Sequence, residues 1–183
     1  FANMKRYILI LISCLALTIS SYAQEIIPTD SIRISLLTCG AGSEIYSLFG
    51  HTAIRYEQPA RGIDIVFNYG VFNFGAPNFI LRFTLGETDY LLGVEEYNHF
   101  VRSYQRMGRD VWEQKLNLSQ AEKMRLFAQL GENYKPENRE YRYNFFFDNC
   151  ATRPRDQIEK AMTRQLVYAD DMQTKVKRFC VQN

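Results

Sequence analysis

Three side chains in this sequence have the types to make an activated thiol: Cys150, His51 and Asn68. Cys150 follows Phe145-Phe146-Phe147, an aromatic run that reads as a buried strand end and stops at Asp148-Asn149. Beyond it, Ile158, Ala161, Met162 and Leu166 recur on one face of a helix-like segment. A cysteine at a helix start lies among free backbone N–H groups and the positive end of the dipole, and both favour thiolate over thiol. Pro154 cannot donate to the carbonyl of Cys150, so the helix is expected to begin near Thr152–Arg153 with the sulfur at its mouth. A lone cysteine is more often a buried structural thiol. A nucleophile needs a base to take its proton, and that base needs an orienting group.

His51 is the better base of the two histidines. It opens a strand directly after Gly50, where its ring can face a groove, whereas His99 sits among charged residues in an amphipathic helix and reads as a surface group. His51–Tyr56 and Asp64–Gly70 form an expected antiparallel hairpin around Pro59 and Gly62. If its turn centres near Ala60, Asn68 lies roughly opposite His51, about 5 Å away by ordinary sheet spacing. Asn68 would then hold the imidazole as the amide does in Cys-His-Asn sites, with Asp64 the alternative if the register slips. The bland alternative for Asn68 is a residue closing a strand. Cys39, followed by Gly40-Ala41-Gly42, is a rival nucleophile, but the chain between it and His51 is too short for the strands that normally carry a base back.

The elements that must position these residues follow from pattern. Ile32–Thr38 alternates as a strand, ending at Cys39-Gly40. Ser43–Phe49 reads as a short helical turn, and Phe72–Gly86 as an irregular aromatic loop. Tyr90–Val94 is a strand, Glu95–Met107 a helix stopped by Gly108, and Arg109–Leu118 a further strand. Ser119-Gln120-Ala121-Glu122 is a capping box opening a helix that ends around Gly131–Asn133, and Glu140–Phe147 is the strand that delivers Cys150. The sum is an α+β domain with a largely antiparallel sheet.

Composition bounds the partners. With 183 residues, 46% hydrophobic and 23% charged, the chain has the mass for one domain with a real core. A net charge of +2 with interspersed signs gives no nucleic-acid footprint. Met4-Lys5-Arg6, the apolar run Tyr7–Ile19 and the small-x-small site Ser21-Tyr22-Ala23 make residues 1–23 a secretion signal with upstream residues, leaving 24–183 as a single exported domain. Leu11-Ile12-Ser13-Cys14 imitates a lipoprotein cleavage box, but the apolar run continues past Cys14. Export leaves Cys39, Cys150 and Cys180 in an oxidising space, an odd number, so at least one thiol is unpaired; Cys39–Cys180 is one disulfide the count allows. No cysteines have zinc-ligand spacing, and the sequence calls for no metal and no cofactor.

The blocks "LLTCGAGSEIYSLFGHTAIR", "DIVFNYGVFNF" and "YNFFFDNCATRPRDQIE" resemble the exported Lnb N-terminal periplasmic domain family of Gram-negative bacteria, over about Ile32 to Tyr168. That family is similar to the circularly permuted papain-like proteins, which include NlpC-like and lecithin:retinol acyltransferase-like enzymes. The resemblance implies a permuted papain-like fold with the histidine-bearing strand before the cysteine-bearing helix. It implies Cys150 as nucleophile, His51 as base, and Asn68 or Asp64 as the orienting group. It further implies N-acylation of lipoproteins in the periplasm, with a phospholipid as acyl donor and an amino-terminal amine as acceptor, at a membrane surface. Family members usually continue past the region matching Tyr168, so the chain resembles a C-terminally truncated copy.

Three functions compete on these residues. A thiol acyltransferase would form an acyl-Cys150 intermediate, its oxyanion held by backbone N–H groups at the helix start. Arg153, with Arg155, would meet the donor phosphate, and Tyr69, Phe72 and the aromatic segment to Phe83 would wall the acyl chain. A cysteine peptidase or amidase on cell-wall peptides would use the same groups with water as acceptor. An envelope binding module would keep the fold without the chemistry.

Overall fold

The computed structural model describes residues 32–43, 47–72, 78, 89–144 and 146–165. The secretion signal, most of the aromatic loop from Phe72 to Gly86, Phe145, Leu166 and Cys180 lie outside the described residues.

Six antiparallel strands form one sheet: β1 (Arg33–Cys39), β2 (His51–Gln58), β3 (Ile63–Phe72), β4 (Asp89–Glu96), β5 (Val111–Lys115) and β6 (Glu140–Arg142), in the order β5-β1-β2-β3-β4-β6. Three helices pack on it: α1 (Tyr97–Arg106), α2 (Gln120–Tyr134) and α3 (Thr152–Ala161). The fold is α+β, and among the described residues no helix is long and apolar enough to cross a membrane.

Alternation along the strands sorts their side chains into two cores. Leu37, Cys39, Ala53 and Val66 face α1, meeting Phe100 and Tyr104. Ile34, Ile54, Tyr56, Phe67, Tyr69 and Leu92 face the other way, against Leu126 and Leu130 of α2 and Ile158 and Ala161 of α3. Each fully buried side chain of this size contributes about 1.5–3 kcal/mol before entropy. Phe127 stacks on Tyr56 with centroids 4.0 Å apart, holding α2 over the β2–β3 hairpin.

The junction of α2 and α3 is fixed by Glu122. Its carboxylate accepts from Ser119 N and Oγ, completing the expected capping box, and from Thr163 N and Oγ1 beyond the end of α3. These four bonds hold the acid, only 1% exposed, well below the usual range at about 2. Arg125 Nε donates to the carbonyl of Ala161, satisfying one of the orphan acceptors at the C-terminus of α3.

One expected element is overturned. The strand Glu140–Phe147 ends at Arg142, and the chain then folds into a tight loop closed by paired backbone bonds between Asn144 and Asp148. Asn144 Oδ1 accepts from the N–H groups of Phe146 and Phe147. This side chain offers the backbone a local turn in competition with the ladder. Phe146 and Phe147 are therefore exposed, 61% and 79%, rather than buried as a strand end.

Candidate active site

His51 is the first residue of β2, as its position after a turn predicts. Its Nε2 and Asn68 Oδ1 are 2.6 Å apart. An amide oxygen can only accept, so the neutral ring carries its proton on Nε2 and leaves the Nδ1 lone pair free. Burial, then the charge of Arg109, lowers the pKa of His51, while Asn68 partly opposes the shift. The ring is a neutral base at neutral pH.

The register that brings Asn68 there differs from the expected one. β2 and β3 pair Glu57 with Asp64 and Ile54 with Phe67, so the turn centres between Ala60 and Arg61, on a short helical turn Pro59–Arg61 closed by Gly62. Asn68 is thus offset from His51 along β3 rather than directly across. Because the offset is two residues, the side chain stays on the same face, where a slip of one would have lost it. Asp64 does not reach His51. It accepts from Arg55 Nε and Nη2, both at 2.8 Å, in a bidentate pair that also explains why it is not free to orient anything else.

Cys150 comes to the same place from the other core. It lies two residues before α3, which starts at Thr152 as Pro154 requires. The meeting point is Gly70, the extra residue of a β-bulge between Tyr69 and Val71, at φ +98. A Cβ on Gly70 would stand 3.4 Å from Cys150 Cβ and 3.5 Å from His51 Cε1. The two side chains therefore flank one gap, no further apart than those two lengths end to end. Backbone N–H groups of Thr52, the residue after His51, and of Cys150 itself lie near enough to the sulfur to favour its thiolate.

The thiol is not the preformed thiolate that a helix mouth suggests. Burial raises its pKa, and the two N–H bonds only partly counter this. The helix-mouth donors are engaged elsewhere: Asn149 Oδ1 accepts from the N–H groups of Ala151 and Thr152. The cleft thus places a thiol beside a neutral imidazole.

The remaining candidates fall apart from the reacting pair. Arg153 is held by Asp148 through Nε at 2.5 Å and Nη2 at 2.8 Å, and its guanidinium lies 3.6 Å over the Tyr141 ring. It braces the loop that carries Cys150 and is not free for a phosphate. Arg155 pairs with its neighbour Asp156 at the surface. Tyr69 is 1% exposed and its hydroxyl accepts from Asn133 Nδ2 at 2.8 Å, so it is a core residue and not a substrate wall. Phe72 is half-buried against Tyr90, 4.7 Å between centroids. His99 pairs with Glu95 at the surface, 2.6 Å apart, as expected of a solvated histidine.

Cys39 sits directly across from His51 in the β1–β2 ladder, yet it is 2% exposed with its pKa pushed up to about 11 by burial. Its thiol is free. Among the described residues, no three His, Cys, Asp or Glu converge as metal ligands. Sequence reasoning missed Gly70, the Thr52 N–H and Tyr141, whose buried hydroxyl has no hydrogen-bond partner. Only the glycine left a trace, and "NYG" does not announce a bulge.

Four large apolar side chains stand exposed on the two loops that enter the site. Leu48 and Phe49, at 50% and 61%, precede His51; Phe146 and Phe147 precede Cys150. A family model described as the Lnb N-terminal periplasmic domain matches residues 19–178. No curated protein and no solved structure matches the chain.

Proposed function

The chain belongs to the Lnb N-terminal periplasmic domain family, and on that premise we propose that it is a periplasmic cysteine acyltransferase moving an acyl chain from a phospholipid to the terminal amine of a lipoprotein. The convergence of Cys150, His51 and Asn68 carries this reading. The order of strand-borne histidine before helix-borne cysteine also supports a permuted papain-like fold.

In the first half-reaction His51 Nδ1 takes the thiol proton as the sulfur attacks the ester carbonyl. The tetrahedral oxyanion draws on the N–H groups of Thr52 and Cys150. Collapse breaks the carbon–oxygen bond, and the imidazolium returns its proton to the departing alcohol of the lysophospholipid. In the second, the acceptor amine attacks the thioester and His51 takes a proton from it. The carbon–sulfur bond then breaks and the thiolate is reprotonated. Asn68 keeps the imidazole in one tautomer and orientation through both.

The exposed Leu48, Phe49, Phe146 and Phe147 favour a lipid over a cell-wall peptide, because an apolar rim at a site mouth fits an acyl chain. The test is incubation with a phospholipid of defined acyl composition, read by intact mass. The expected result is an acyl-mass adduct on Cys150, labile to hydroxylamine and absent in Cys150→Ser. Cleavage of peptidoglycan fragments without an acyl adduct would assign a peptidase or amidase. Neither reaction, with Cys150→Ser neutral, would leave a binding module.

A further inference from the structure

We propose that Arg109 is the anchor for an oxyanion on the substrate, a phosphate group carried next to the scissile ester; this rests on the acyl-transfer reading of the site.

Arg109 follows α1 through the left-handed turn at Gly108 and stands two residues before β5. Its Nε donates to the carbonyl of Gly40 at 2.9 Å, and its guanidinium lies 4.6 Å over the Tyr104 ring. Its Nη2 is buried and has no hydrogen-bond partner among the described residues. No carboxylate among the described residues lies within ion-pair distance of it. Arg55 and Arg153, by contrast, each hold a carboxylate in a bidentate grip. A shielded guanidinium donor without an acceptor is a standing cost that an entering anion would remove.

The position connects this cation to the chemistry. Gly40, which Arg109 holds, follows Cys39, and Cys39 lies across from His51. Cys39 and Tyr104 each lie within electrostatic reach of both Arg109 and Cys150. Arg109 also acts on His51, favouring the neutral ring. Gly42, shortly after β1, packs on Arg109 so closely that a Cβ there would come within 3.2 Å of Arg109 Cδ.

The test uses the full chain and glycerol 3-phosphate as probe, in two arms at constant ionic strength. In the first, 31P line broadening of the probe is titrated against wild type, Arg109→Gln, Arg109→Lys and Arg61→Gln, the last an exposed arginine at the far β2–β3 turn. Wild type and Arg61→Gln should bind, Arg109→Lys more weakly, and Arg109→Gln roughly tenfold or more weakly. In the second, saturating probe should slow iodoacetamide labelling of Cys150 in wild type and not in Arg109→Gln. Binding of inorganic phosphate with equal affinity would assign a free oxyanion, and preference for the ester a lipid-like one; both support the site. Equal broadening with Arg109→Gln, no broadening with wild type, or binding that leaves Cys150 labelling unchanged overturns it. The first arm needs no turnover, so a failed acyl transfer would leave the anion site measurable. Thermal melts of both Arg109 variants check folding, and the charge-retaining lysine separates loss of charge from loss of packing.

Discussion

Replacing Gly70 with alanine separates the meeting of Cys150 and His51 from the stability of the sheet. At φ +98 an L-residue is strained, at about 1–3 kcal/mol. The new methyl would make ordinary contacts, 3.4 Å to Cys150 Cβ and 3.5 Å to His51 Cε1, so steric clash adds little to the stability loss. Its effect is on the gap itself: it stands where the thiol and the imidazole must approach to exchange a proton. A displacement of about 1 Å in such a pair lowers rate by roughly a hundredfold. Gly62→Ala is the control, with φ +64 and nothing within 4 Å of its Cβ, so it carries strain without contact. Urea melts should show both variants destabilised by amounts within about 1–2 kcal/mol of each other. The burst of p-nitrophenol from an acyl ester, which reports acylation of Cys150, should be intact in Gly62→Ala and lost about a hundredfold in Gly70→Ala. If Gly70→Ala acylates at the Gly62→Ala rate, the reacting side chains do not meet across that residue and the assigned site is wrong.

Asn68→Ala should lower kcat about 10- to 100-fold with little change in KM, since it frees the imidazole rather than touching substrate; an unchanged kcat would reduce Asn68 to a strand residue. Cys150 alkylation should climb steadily from pH 7 to 9, because burial raises the thiol above its ordinary value of 9.0. A rate plateau below pH 7 would instead reveal a preformed thiolate–imidazolium pair. His51 has its pKa lowered on folding, so the folded state binds fewer protons there, and its contribution to stability is present above the unfolded pKa and lost as pH falls. Glu122, also depressed, behaves the same way at lower pH: its stabilisation is complete above about 4.5 and lost as pH falls toward about 2. Glu122→Gln should therefore flatten the acid limb of the melting temperature between those values, and an unaltered limb would mean the carboxylate is not what holds α2 to α3.

Much of the fold was legible because it rests on local pattern. The β1 and β2 strands, the α2 capping box with its reciprocal Ser119–Glu122 bonds and the start of α3 at Thr152 all follow from alternation, capping chemistry and one proline. The last strand did not: aromatic residues favour a strand, but Asn144 folds the chain back on itself and leaves Phe146 and Phe147 in solvent. The partners of Arg153 and Tyr69 were not legible for a different reason. A sequence shows that a residue has a useful group, but not that Asp148 or Asn133 has already engaged it.

The sequence by itself determined which groups could do chemistry and where each lay in its element: a cysteine before a helix, a histidine opening a strand, an asparagine on the next strand. Tertiary structure alone decided that they meet, since Cys150 precedes the helix packed on one face of the sheet while His51 points to the other, and a bulge at Gly70 is where the two approach. It also decided the charge state. A helix mouth suggests a thiolate, but that expectation holds only while the N–H groups are free and the sulfur is wet. Here Asn149 takes two of the donors and burial removes the water, so the sulfur keeps its proton.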